Sequence, residues 1–290
     1  MTYKVDSAIL MAAGTSSRFV PLSYEKPKAL IKVRGEILIE RQIRQLQEAG
    51  VPKIVIVTGY KKKQFDYLKD KFGVILVDNP DYLTKNNNAT LFAAREYIQN
   101  SYICSIDNYF INNPFSNHEE HSYYSAQYAD GKTEEWCLTI DSQGLITDVR
   151  IGGENTWYMM GHVFWSSDFS EKILRYLDKD LQTPEKENRL WEYTLIDHLQ
   201  NLPIKVQKYN KGDIFEFDSL DELREFDPSY RSFSDSKILQ NIAKELKVEE
   251  AMLHDFQALK NDNQASGFIF SCNNKKYCYK YTNQIIERLL

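Results

Sequence analysis

Only four cysteines occur in 290 residues, and no two have C-x-x-C spacing, so neither a zinc ribbon nor a dithiol redox centre is indicated. Cys104, Cys137, Cys272 and Cys278 are scattered, and reduced thiols in a cytoplasmic protein are the expectation. No window reaches the roughly 18 apolar residues of a membrane span, so no membrane insertion is expected. The apolar start is too short for a signal peptide and lacks its cleavage site. Basic residues are also in deficit: 36 Lys and Arg against 41 Asp and Glu leave a net charge of −5. That argues against nucleic acid as a partner. The one short basic run, Lys61-Lys62-Lys63, reads as the solvated start of a helix. Repeats and low-complexity tracts are absent as well.

What remains is a chain rich enough in apolar residues, at 42%, to build a sizeable core. Strand and helix patterns alternate through the first hundred residues. Val5–Leu10, Lys53–Thr58, Val74–Val77 and Tyr102–Ile106 read as strands. Ile37–Ala49, Gln64–Lys71 and Ala89–Ile98 read as helices. Such alternation predicts an α/β fold with a Rossmann-like, mixed, mostly parallel sheet flanked by helices. Next come short strands at Ser122–Tyr128, Trp136–Ile140 and Leu145–Ile151, a small antiparallel insertion. Ser167–Leu177 and Arg189–Leu199 look helical, and Ile204–Tyr209 and Asp213–Phe217 look like closing strands. Ser219 is placed to cap a helix over Asp221–Phe226. A boundary near Asp227-Pro228-Ser229 separates residues 1–228 from a small α+β appendage, residues 229–290. That appendage is expected to hold helices at Ser236–Leu246 and Glu249–Lys260, a loop at Asn261-Asp262-Asn263, and a hairpin around Asn273-Asn274.

The chemistry concentrates after the first strand. Ala12-Ala13-Gly14-Thr15-Ser16-Ser17 is a small-residue turn in which backbone N–H groups can approach an anion closely. Arg18 follows, and Pro27 fixes the chain before Lys28. Two cations beside such a turn suit a triphosphate, whose charge shifts as one P–O bond breaks. A plain turn with surface cations explains the same residues. Asp107 and Asp218 each stand at the carboxyl end of an apolar strand, where ligands of open α/β sheets bind. Two such carboxylates suit one Mg²⁺, although an aspartate at a turn or a helix start has ordinary structural uses too.

This stretch resembles the nucleotidyltransferase signature LxAGxGxR followed by PKxL, with Ser16 where the second glycine stands. Ser105-Ile106-Asp107-Asn108-Tyr109, Glu135-Trp136, Gly161-His162-Val163-Phe164-Trp165, Leu190-Trp191-Glu192 and Phe215-Glu216-Phe217-Asp218-Ser219 fall in the order seen in bacterial CTP:phosphocholine cytidylyltransferases. The resemblance covers about residues 5–227. It implies transfer of CMP from CTP to phosphocholine, with Asp107 and Asp218 as Mg²⁺ ligands. Lys28 would act at the α-phosphate and Arg18 at the leaving phosphates. Asn87 and the Gly59-Tyr60 turn would lie near the base and ribose.

A trimethylammonium head has no N–H to donate and wants aromatic faces with a carboxylate nearby. Trp136, Trp191 and Tyr193 offer faces, and Glu135 and Glu192 offer charge. A primary ammonium, as in 2-aminoethylphosphonate, suits the same carboxylates, so both acceptors stay open. A sugar-1-phosphate transferase would need hydroxyl-reading groups in place of these aromatics, and a nucleotide sensor would not need both carboxylates. His162, Cys104 and Cys137 read as core residues. Phe268-Ile269-Phe270-Ser271 and Lys276-Tyr277-Cys278-Tyr279-Lys280-Tyr281 resemble the first hairpin of choline-kinase-like proteins. Without a catalytic lobe no kinase activity is expected, which leaves packing or homodimer formation as the role.

Overall fold

The computed structural model describes residues 2–261 and 264–289. The chain divides into two compact units, Met1–Gly14 with Arg41–Phe215, and Thr15–Glu40 with Glu216–Leu290.

The first unit is built on seven strands: β1 (Ser7–Ala12), β2 (Ile54–Thr58), β3 (Ile75–Asp78), β4 (Ser101–Ser105), β5 (Tyr123–Ile140), β6 (Ile146–Trp165) and β7 (Lys205–Tyr209). Their order is β7-β5-β6-β4-β1-β2-β3. The run β4-β1-β2-β3 is parallel, β6 is antiparallel to both β4 and β5, and β5 pairs in parallel with β7. Every residue of β2 is buried, as a β-branched run covered on both faces requires. Helices Asn87–Ala93, Ser167–Leu181 and Trp191–Asp197 cover the sheet through a core that includes Val55, Leu91, Ile103, Val163, Trp165 and Ile173. The Rossmann-like mixed sheet is therefore the fold of this unit.

The insertion differs from the expected short strands. Tyr123–Ile140 and Ile146–Trp165 run as one long hairpin, and its register shifts between Ala129 and Lys132 and again between Thr133 and Trp136. Bulges let a ladder continue through residues that break alternation. Gly131 and Gly152 hold the left-handed φ values of 93° and 79° there. Asp141 closes the turn by accepting the N–H groups of Gln143 and Leu145 on Oδ1.

In the second unit, residues 15–40 contain three single turns, Ser17–Phe19, Leu22–Glu25 and Lys28–Leu30, and a small hairpin of Lys32–Val33 with Glu36–Ile37. Helices Leu220–Phe226, Ser229–Ser232 and Lys237–Leu246 follow later in the chain. Ser219 and Ser236 cap two of them, accepting the N–H groups of Glu222 and Leu239. A four-stranded antiparallel sheet ends the unit, in the order His254–Asn261, Gln264–Cys272, Lys275–Lys280 and Ile286–Arg288.

The helix expected over Glu249–Lys260 is absent. One 3-10 turn, Glu250–Met252, leads into the strand His254–Asn261. The Arg224 guanidinium takes the carbonyls of Glu250 at 2.9 Å and Leu253 at 2.5 Å, and Asp255 adopts a φ of 55°. The left-handed φ at Asp255 interrupts any helix there, and the backbone of His254–Asn261 pairs with Gln264–Cys272, so sheet pairing overrides local helix propensity. Asp262 and Asn263 of the expected loop lie outside the described residues. Asn273 and Asn274 turn the hairpin with φ of 49° and 58°, the geometry of a type I′ turn. Among the described residues no helix is long and apolar enough to cross a membrane.

Candidate active site

In the first unit, β1 and β2 end side by side. The Tyr60 N–H donates to the Ala13 carbonyl at 3.0 Å, which joins the two strand ends. Gly59 is forced by this approach: a Cβ there would stand 2.7 Å from Tyr82 Cγ and 2.9 Å from Ala13 O. Gly14 is the reverse case. A Cβ there would meet nothing within 4 Å, so the space beside the backbone is open to a ligand. Asp107 stands in the turn just past β4, half-buried.

The second cluster of this unit gathers around Asn87, the first residue of its helix. Its Oδ1 accepts the Trp191 N–H at 2.8 Å, and its Nδ2 donates to Glu192 Oε2 at 3.2 Å. Asn87, expected near the base and ribose, is thus bonded to the residues expected at the acceptor. Burial pushes the Glu192 carboxyl up to about 7, against the opposing hydrogen bonds that favour its ionised form, including those from Asn87 and Tyr124. The rings of Trp136 and Tyr193 meet edge to face, with centroids 5.0 Å apart. Tyr193 is exposed and Trp136 half-buried. Trp191 differs from the expectation of a ligand-facing ring. It is 1% exposed, packed against Tyr124 and edge-on to Trp165, and what it offers Asn87 is its backbone N–H. Glu135 lies exposed beside Trp136 on β5.

Two residues of the first unit behave as core, as expected. His162 is fully buried among Tyr102, Phe110, Phe115 and Tyr123, and burial lowers its pKa to about 3. A ring so weakly basic, enclosed by aromatic side chains, fits a core role. Burial likewise raises the Cys104 thiol well out of the reactive range.

In the second unit the signature residues converge on Asp218. Arg18 Nη1 lies 2.5 Å from Asp218 Oδ2, and Lys28 Nζ lies 3.9 Å from Asp218 Oδ1. The two cations differ in setting. The Arg18 side chain is 76% exposed, whereas that of Lys28 is 4% exposed, with its ammonium 5.4 Å from the centre of the Phe19 ring. Lys28 is therefore fixed in place, and Arg18 can exchange partners cheaply, because an exposed ion pair contributes little. Asp218 is held from behind, its N–H donating to Glu222 Oε2 at 2.7 Å.

Ser16 explains its own position. It has φ 48° and ψ 46°, the left-handed region that favours glycine, where the signature carries its second glycine. Its carbonyl accepts the Phe19 N–H at 2.9 Å and closes the turn carrying Arg18.

Glu216 was not singled out from the sequence. It sits two positions before Asp218 at the end of a strand, and their carboxylate oxygens lie within 4.8 Å of each other. The i, i+2 spacing in extended chain was the available signal. Two carboxylates at this separation, all oxygen donors, fit a hard divalent cation such as Mg²⁺.

The MobA-like NTP transferase domain family matches residues 8–129. The choline-phosphate cytidylyltransferase of Streptococcus pneumoniae is 35% identical over 220 residues, covering 76% of this chain and 96% of that protein. The 2-aminoethylphosphonate cytidylyltransferase of Lancefieldella rimae is 32% identical over 228 residues, 77% and 93% of the two chains. A solved structure of the Streptococcus pneumoniae CTP:phosphocholine cytidylyltransferase superposes with a TM-score of 0.74 at 35% identity, covering 78% of this chain and 99% of that one. With the strand-end turn, the paired cations and the carboxylates already in place, these matches show that the chain belongs to the bacterial choline-phosphate cytidylyltransferase family and is a nucleotidyltransferase.

Proposed function

We propose that the protein transfers CMP from CTP to phosphocholine, releasing pyrophosphate and forming CDP-choline. The observation that supports the acceptor assignment is the Trp136–Tyr193 ring pair, with Tyr193 exposed and next to Glu192 in the chain, which offers a ring face to a quaternary ammonium. A phosphate oxygen of the acceptor attacks the α-phosphorus of CTP. The new P–O bond forms as the bond to the β-phosphate bridging oxygen breaks, and that oxygen leaves with its electron pair as pyrophosphate. No deprotonation of the nucleophile is needed, because a phosphate monoester is already anionic near neutral pH.

Ala12, Ala13, Gly14, Thr15, Ser16 and Ser17 supply the backbone cradle for the triphosphate, and the Gly59-Tyr60 turn holds its floor. Lys28 offsets charge at the α-phosphate, and Arg18 exchanges Asp218 for the departing pyrophosphate. Asp107 and Asp218, with Glu216, are the carboxylates that would hold Mg²⁺. When bound, the ion supplies charge neutralisation at the phosphates. Glu135 adds negative potential near the cationic head.

The Glu192 carboxyl, able to accept a direct hydrogen bond, favours a second reading in which 2-aminoethylphosphonate is the acceptor. The test is pyrophosphate release with CTP, ATP, GTP and UTP, each against phosphocholine, 2-aminoethylphosphonate and glucose 1-phosphate. The expected result is turnover with CTP and phosphocholine. Faster turnover with 2-aminoethylphosphonate makes the second reading the right one, and turnover only with glucose 1-phosphate rejects both.

A further inference from the structure

Residues 15–30 carry Arg18 and Lys28, yet they hold no regular element longer than one turn. Isolated turns do not hold their own shape, since nucleating a turn costs more than its one or two hydrogen bonds return. What packs against this arm therefore sets its geometry, and much of that comes from the tail.

The Tyr24 ring stacks on Tyr281 with centroids 3.5 Å apart and planes 5° from parallel. Glu25 Oε1 accepts the N–H groups of Lys237 at 2.9 Å and Ile238 at 3.3 Å, so an arm carboxylate binds the first turn of a tail helix. Lys26 Nζ lies 3.6 Å from Asp235, and the Tyr230 hydroxyl donates to the Lys32 carbonyl at 2.6 Å. The strand His254–Asn261 packs against the turn Ser17–Phe19 itself. The tail also holds the helix that follows Asp218. Asp255 N–H donates to Asp221 Oδ2 at 2.8 Å, and Arg224 bridges to the carbonyls of Tyr230, Glu250 and Leu253. Thus the tail contacts both segments whose side chains meet at Asp218. The pneumococcal relative is matched along 96% of its length by only 76% of this chain, so this chain carries structure with no counterpart there.

We propose that the tail, residues 229–289, is a clasp that fixes the Arg18–Lys28 arm for gripping the triphosphate. Affinity for the nucleotide then depends on tail contacts remote from the chemistry, and affinity for the acceptor does not. Tyr281 is the chief positioning residue. This rests on the nucleotide roles given to Arg18 and Lys28 above.

The test uses the full chain. Tyr281→Ala should raise both the calorimetric Kd and the KM for CTP about tenfold, as loss of a close aromatic stack with its packing implies. KM for the acceptor should stay within about twofold. Tyr281→Phe, which keeps the ring, should restore the wild-type CTP value. Folded Tyr281→Ala with unchanged CTP affinity, or with equal losses for CTP and acceptor, overturns the clasp. If Tyr281→Ala does not fold, hydrogen exchange on the wild type decides. CTP should protect amides at residues 237–240 and 277–281 together with those of the arm, and protection confined to the first unit overturns the proposal. Wild-type protein that binds CTP yet turns over neither acceptor rejects the transferase reading while leaving the clasp testable by Kd and exchange.

Discussion

Replacing Glu192 by glutamine isolates one carboxyl whose charge changes within the working pH range. Burial lifts it to about 7, so it is about one-tenth ionised at pH 6 and about nine-tenths at pH 8. Only the ionised form attracts a cationic head. A hydrogen bond from a primary ammonium to the carboxylate contributes about 1.5–3 kcal/mol, and a quaternary head, which has no N–H, gains a Coulomb attraction of about 3 kcal/mol at ~6 Å and an effective dielectric constant of ~20. At pH 8, Glu192→Gln should therefore lower kcat/KM for an ammonium acceptor roughly tenfold to a hundredfold, leaving kcat/KM for CTP nearly unchanged. The acceptor's own phosphate titrates near ~6, so the ratio of wild type to Glu192→Gln is the quantity to follow. That ratio should rise about ninefold from pH 6 to 8. Stability moves oppositely. The folded state holds this proton more tightly than the unfolded chain, so stability falls as pH rises from the ordinary carboxyl value of 4.5 through about 7. Glu192→Gln removes that fall, and its Tm should exceed wild type at pH 8 and match it at pH 4. A flat ratio across pH, or equal damage to CTP and acceptor, would refute the placement of Glu192 at the acceptor.

Asp107→Asn and Asp218→Asn should each abolish pyrophosphate release in a folded protein by circular dichroism, and EDTA should do the same to wild type until Mg²⁺ is restored. Trp136→Ala should raise the acceptor KM about tenfold, since a cation–π contact contributes up to about 2 kcal/mol, with a smaller loss of stability than Trp191→Ala because its ring is only half-buried against the core. Trp191→Ala, by contrast, should cost about 3–5 kcal/mol in denaturant unfolding, because it empties a core site. Gly59→Ala drives a Cβ toward Tyr82 and the Ala13 carbonyl and should lower stability by about 1–3 kcal/mol while raising the KM for CTP.

The parallel strands were legible because their fully buried, β-branched runs carry their own boundaries, as at Ile54–Thr58. The long hairpin was not, since its bulges at Gly131 and Gly152 break the alternation that marks a strand. The helix expected over residues 249–260 failed for a similar reason. The strand Gln264–Cys272 takes the backbone of His254–Asn261 into its ladder, and no pattern inside residues 249–260 reports that partner. At the site, residue chemistry named Arg18, Lys28 and Asp218, which the fold brings together across two hundred residues. Sequence could not separate Trp136 from Trp191, because one half-exposed ring and one buried ring share a residue type and differ only in what surrounds them.

The second unit joins residues 15–40 to residues 216–290, with residues 41–215 of the other unit between them in the chain. During synthesis the early arm therefore waits unpartnered while the parallel sheet is made and folds around β1. A nascent chain halted before residue 216 would own its sheet and its aromatic pair but lack Asp218, so on the roles proposed for Arg18 and Lys28 the nucleotide grip forms only after residues 216–290 are made.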